Sequence, residues 1–251
     1  MIYGGLPYIL NRKTEEQKSD YLKNLFNETY LKDILEHNRM KGAAELGELI
    51  DILASSVGSL ANPSRIANTF ESVKKVKIAK ETIRNYISYL EDAYLISDTK
   101  RYDVKGRRYI DTPLKYYFED VGLRNARLNF RQLEEPHLME NIIYNELRYR
   151  GYNIDVGVVE INERENDKYL RKQLEIDFIA NKGSKKYYIQ VAQGVSDPGK
   201  REQETRSLRK IRDGFKKVLI RKDNGITFTD EDGILNLYLF DFLFDRKTLD
   251  D

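Results

Sequence analysis

Apolar residues keep a helical spacing up to about Leu90, whereas helix-like and strand-like runs mix afterwards, and only a chain that builds both helices and a sheet satisfies that change. Tyr21, Leu22, Leu25, Phe26, Tyr30, Leu31, Ile34 and Leu35 recur at three- and four-residue steps, the repeat of one buried helix face. Leu46, Leu49, Ile50, Leu53 and Ala54 mark a further helix. Asn62-Pro63 predicts the start of the next: Asn caps a helix well, and Pro fits the first turn, where its missing N–H has no partner to lose. A longer helix follows through Ile83, Tyr86, Ile87 and Leu90. Tyr94 to Tyr102 and Arg107 to Ile110 then read as two strands around Asp103-Val104-Lys105-Gly106. Short helices followed by a hairpin are the order of a winged helix.

Beyond Tyr116 helix and strand alternate. Leu138 to Arg150 predicts a helix that ends at Gly151, where a residue of positive φ closes the last turn. Leu174 to Ala180 and Tyr187 to Gln193 predict a hairpin, Ser207 to Asp213 a helix, and Lys217 to Ile220 and Ile234 to Phe240 two more strands. The expected fold class is α/β. Its expected parts are a helical lead-in over 1–42, a winged helix over 43–115 and an α/β domain over 116–251.

Composition narrows the chemistry. The 251 residues include no cysteine, which removes disulfides and Cys-based zinc sites. His37 and His137 have no metal-ligand spacing. No apolar run reaches the ~18 residues of a membrane span, and no signal peptide opens the chain, so a cytoplasmic protein without a membrane partner is expected. Net charge is only +2, yet Asn62 to Lys115 holds 12 Lys/Arg against 7 Asp/Glu, a net of +5. A basic module on a near-neutral protein points to nucleic acid. The alternative is an ordinary solvated face.

Several segments, in order, carry a resemblance to a known family: Tyr3-Gly4-Gly5-Leu6-Pro7, Tyr30-Leu31-Lys32-Asp33-Ile34, Thr82-Ile83-Arg84-Asn85-Tyr86 with Leu90-Glu91, Lys115 to Leu123, Glu140 to Leu147, Glu175-Ile176-Asp177-Phe178, and Tyr188-Ile189-Gln190-Val191-Ala192. Across nearly the whole chain they resemble the C-terminal region that follows the AAA-type ATPase domain in a bacterial and archaeal family. The resemblance implies a winged helix followed by a domain similar to the PD-(D/E)XK, or restriction-endonuclease-like, fold, and an AAA-type ATPase domain as partner in cis or in trans. The chain itself has no G-x-x-x-x-G-K-[ST] phosphate loop. It is therefore expected not to hydrolyse ATP by that mechanism, and to be either a fragment of a longer ATPase or the companion of a separate one.

The same resemblance assigns residues. A PD-(D/E)XK nuclease uses a helix glutamate, a strand aspartate and an acidic-x-lysine on the next strand to hold Mg²⁺ and activate water. Glu140 matches the helix glutamate, with Glu146 as a rival better suited to an exposed ion pair. Asp177 matches the strand aspartate and shares a face with Glu175. Gln190 stands where the second acid belongs and Ala192 where the lysine belongs. Gln offers a carbonyl but no charge, so the catalytic set Glu140, Asp177 and Gln190 is degenerate and expected to be inactive. Glu140 and Asp177 are metal ligands only if activity survives, with a lysine supplied from elsewhere; Lys172 and Lys186 are nearby in sequence, but strand alternation does not place them. No cofactor is expected otherwise. For duplex DNA, the contacts are Lys80, Thr82, Arg84 and Asn85 at the start of the third helix, and Lys100, Arg101, Lys105, Arg107 and Arg108 on the wing. The expected function is a DNA-associated effector or regulatory module of an AAA-type ATPase. The alternatives are a Mg²⁺-dependent nuclease and a protein-interaction scaffold.

Overall fold

A computed structural model describes residues 1–251 except Lys41, Asn166, Asp167, Ser196, Asn224, Asp250 and Asp251. Two compact units form, one from Met1–Asp98 with Thr112–Ile142 and one from Thr99–Asp111 with Ile143–Asp251. No described helix is long and apolar enough to cross a membrane.

The first unit is mostly helical. After a short turn of helix at Pro7–Asn11 come α1 (Glu15–Asn24), a π-helical stretch (Leu25–Leu31) and α2 (Lys32–His37). Then follow α3 (Ala43–Ser55), β1 (Leu60–Ala61), α4 (Pro63–Thr69), a second π-helical stretch (Phe70–Lys74) and α5 (Lys80–Asp92). Thr14 opens α1 through a reciprocal cap with Gln17. Asn62 caps α4 as its sequence predicts, accepting from Arg65 N at 2.7 Å, with Pro63 in the first turn. Leu46, Leu49 and Ile50 of α3 and Ile83 and Leu90 of α5 are fully buried, each contributing about 1.5–3 kcal/mol of transfer free energy. Two strands, β2 (Ile96–Asp103) and β3 (Arg108–Phe118), run from one unit into the other. Within the first unit β1 pairs antiparallel with β3, Leu60 opposite Lys115. Helix α6 (Val121–Arg127) and the start of α7 (Glu135–Tyr149) complete it.

The second unit is a mixed sheet in the order β2-β4-β5-β6-β7-β9-β8. Its further strands are β4 (Asn153–Glu165), β5 (Lys168–Lys182), β6 (Lys185–Ala192), β7 (Lys216–Arg221), β8 (Phe228–Thr229) and β9 (Ile234–Tyr238). β4, β5 and β6 pair antiparallel, whereas β2–β4, β6–β7 and β7–β9 are parallel. Val159, Ile161, Ile176, Ile179 and Leu219 pack with Leu208 of α8 (Pro198–Arg209) and with Ile211. Helix α9 (Leu239–Phe244) follows β9.

Several elements depart from the sequence expectation, among them α8, β9 and β4. The helix expected over Ser207 to Asp213 starts earlier, at Pro198, because Asp197 Oδ2 accepts from Lys200 N at 2.9 Å and caps it there. The strand expected to reach Phe240 stops at Tyr238, where α9 begins. β4, a 13-residue strand, was not expected at all. The tip of the β2–β3 hairpin groups with the second unit because β2 pairs with β4, Arg101 opposite Val156.

Candidate functional site

In the first unit, α7 places Glu140 against β3. Glu140 Oε1 accepts from Lys115 Nζ at 2.9 Å and from Tyr117 OH at 2.6 Å. The Lys115 side chain is 4% exposed and that of Glu140 12%, so this is a nearly buried ion pair. The next residue, Asn141, completes the match: its Oδ1 accepts from Phe118 N at 3.0 Å and its Nδ2 donates to Phe118 O at 2.8 Å. Gly58, at φ +70°, backs the same carboxylate, and a Cβ there would stand 3.2 Å from its oxygens. Charge on Glu140 is balanced by an ammonium from its own unit.

In the second unit, β5 carries Asp177, which is buried and accepts from Val191 N at 2.8 Å. Glu175 is half-buried on the same strand. On β6, Gln190 Oε1 accepts from Ser207 Oγ of α8 at 3.4 Å, and Ala192 is buried in the apolar cluster under that helix. An ammonium in place of that methyl group would have to be desolvated there. Lys172 pairs with Glu163 at 3.2 Å, and Lys186 lies over two aromatic rings, Tyr102 and Phe215. Glu146 pairs with Arg150 at 2.8 Å, the ion-pair role expected of it, though the pair is largely buried rather than exposed. Among the described residues no group of three or more His, Asp or Glu is arranged to hold a metal ion.

The residues expected to meet DNA fall on two elements. On α5, Lys80, Arg84 and Asn85 are exposed and Thr82 is half-buried. Arg84 contacts Glu81 at 3.1 Å, so that face carries both signs. On the hairpin, Asp103 Oδ1 accepts from Lys105 N and Gly106 N and closes the tip. Lys100, Lys105, Arg107 and Arg108 are exposed. Arg101 departs from the wing expectation: pairing with β4 buries it, and its Nη2 donates to Gln173 at 3.2 Å. Lys105 Nζ donates to Glu160 O at 2.7 Å, and Arg108 stands 3.7 Å from Asp103.

Comparison with known proteins places the chain. A family model described as a domain of unknown function, DUF8612, matches residues 1–134, more than half of the sequence. The chain belongs to the DUF8612 family. An uncharacterised protein of Haemophilus influenzae is 35% identical over 96% of the chain and 56% of its own length. The uncharacterised protein MJ1544 of Methanocaldococcus jannaschii is 28% identical over 95% of the chain and 53% of its own length. The DUF8612 chain thus spans about half the length of these relatives. Among solved structures, protein VC1899 of Vibrio cholerae aligns over 92% of the chain and 55% of its own length, at 15% identity and a TM-score of 0.29.

Within the matched DUF8612 stretch, several motif residues prove to be partners of one another. Asp120 caps α6, accepting from Leu123 N at 3.0 Å, and its other oxygen accepts from Gly5 N at 2.7 Å. Gly122 lies under the same segment: a Cβ there would sit 2.4 Å from Tyr3 O. Arg124, 1% exposed, donates to Ala54 O at 2.8 Å and to Asn125 Oδ1 at 3.0 Å. Sequence reasoning assigned these residues no role. Gly5, Asp120 and Gly122 stand in the segments that carry the resemblance, which do not say what these residues touch.

Proposed function

We propose that this chain is a duplex-DNA-associated effector or regulatory module that works with an AAA-type ATPase in cis or in trans, and that its nuclease-like domain does not cut. The observation that carries the reading is the exposed basic set Lys100, Arg107 and Arg108 at the β2–β3 hairpin. Cations held on a closed turn neutralise phosphates and release counterions without reading base sequence. The order α3, β1, α4, α5, β2, β3, with β1 antiparallel to β3, supports a winged helix. The partner ATPase rests on the resemblance of the motif series, together with the extra length of the relatives.

The silence of the nuclease-like site follows from its own side chains. Glu140 already compensates Lys115, Asp177 accepts a backbone N–H, and Gln190 and Ala192 provide neither charge nor general base. Each carboxylate has its prior partner within its own unit, and Ala192 supplies no lysine for an attacking water.

The test is fluorescence anisotropy with a labelled random-sequence duplex. The parent protein binds at low salt with a negative slope of log affinity against log salt. Reversing Arg107 and Arg108 to Glu weakens binding by about tenfold or more and flattens the slope by roughly two. Equal binding by parent and double variant overturns the hairpin as contact surface and favours the protein-scaffold alternative.

A further inference from the structure

The second unit carries an aromatic surface that the duplex reading leaves unused. Tyr102 of β2 and Tyr109 of β3 meet edge to face with centroids 5.3 Å apart, and Tyr109 is 57% exposed. Phe215, in the segment leading into β7, is 42% exposed and packs edge-on against Tyr188. Lys186 of β6 joins the two, its Nζ 5.9 Å from the Tyr102 ring centre and 4.9 Å from that of Phe215. Lys100 acts electrostatically on Asp155, which receives the Tyr109 hydroxyl, and Arg107 acts on Tyr188. Lys186 thus lies over two of these four rings, and Lys100 and Arg107 are exposed on the same unit. The two carboxylates nearby are engaged by tyrosine hydroxyls, Asp155 by Tyr109 and Asp213 by Tyr188 at 2.6 Å.

We propose that this face is a stacking platform for single-stranded DNA, with unpaired bases lying on Tyr109 and Phe215 and the phosphates between them held by Lys100, Arg107 and Lys186. Exposed rings cost free energy in water unless something covers them. A protein partner's apolar patch would cover the rings but would desolvate three cations. A single strand meets both needs, because every base has a π-face and every linkage a negative charge. Duplex DNA offers no free base face, so the platform goes beyond the duplex reading and shares only Lys100 and Arg107 with it.

The experiment titrates fluorescein-labelled (dT)₁₅ into the parent protein at low salt by anisotropy, with (rU)₁₅ and a duplex as parallel arms. The parent binds (dT)₁₅, and the Tyr109→Ala/Phe215→Ala double variant loses at least about tenfold in affinity, given the ~1–3 kcal/mol that each stacked base contributes. Its duplex binding stays unchanged, which separates this outcome from failure of the hairpin reading. Lys186→Ala, which removes no exposed ring, weakens binding and lowers its salt dependence. Tyr8→Ala, an exposed ring in the other unit, changes nothing. The proposal is overturned by a parent that ignores (dT)₁₅ or prefers (rU)₁₅, by a double variant that binds as the parent does, or by an equal loss in Tyr8→Ala.

Discussion

Glu140, which a family resemblance marks as a catalytic candidate, sits in a nearly buried ion pair. A carboxylate kept for a metal sits among other acids and strains its surroundings, so its removal usually leaves stability unchanged or raised. Here the carboxylate contacts a nearly buried ammonium and a tyrosine hydroxyl. Taking one partner out of such a pair costs about 3 kcal/mol, roughly 6–12 °C in Tm for a chain of this size. Glu140→Ala should show that loss in calorimetry, and an unchanged or raised Tm would return Glu140 to a metal-binding role. Glu91 behaves in the opposite sense. Burial, with Asp98 and Asp92 adding repulsion, pushes its carboxyl up to about 7. The folded chain then holds this proton more tightly than the unfolded one. Stability is lost as pH rises from the ordinary glutamate range through about 7, and the loss levels off above that. Glu91→Gln should flatten this part of the Tm-against-pH curve and raise Tm at pH 8; a curve that keeps its slope would contradict the assignment.

At the scale of elements, the N-terminal Gly-Gly segment is a clip. Asp120 accepts Gly5 N while capping α6, and Gly122 lets the Tyr3 carbonyl approach that helix. Gly122→Ala should cost about 1–3 kcal/mol, because backbone atoms must shift to admit the methyl group. Limited proteolysis reads it directly: cleavage near Arg12 and Lys13 accelerates in the variant, and unchanged protection would mean that the clip does not hold the segment. Helices α3 and α5 were legible because their buried residues repeat cleanly, as Leu46, Leu49, Ile50 and Leu53 do in α3. β4 was not. Its outer half pairs with the equally charged start of β5, Asn162 opposite Arg171 and Arg164 opposite Tyr169. Those residues bury little, so no apolar alternation marks them. A register shift between Asp155 and Gly157 further breaks the period of two. For α8 the signal was present in Asp197-Pro198, the same cap chemistry that located α4 at Asn62-Pro63. Among the candidate residues, motif order pointed to Glu140, Asp177 and Gln190, but their partners could not be read. Lys115 and Ser207 reach them only through tertiary packing.

For the whole molecule, a chain of the DUF8612 family with a mixed α/β architecture, the proposal is that DNA is held but left intact. Basic charge is concentrated at one hairpin of a nearly neutral chain, so binding should be weak, tolerant of sequence and steeply dependent on salt. The most direct measurement is one agarose gel of supercoiled plasmid titrated with the protein at low salt in Mg²⁺ or Mn²⁺, each lane run before and after protein removal. The account predicts retarded plasmid before removal and unchanged supercoiled plasmid after it. Nicked or linear product that disappears with Asp177→Ala, or plasmid that is never retarded, would contradict it.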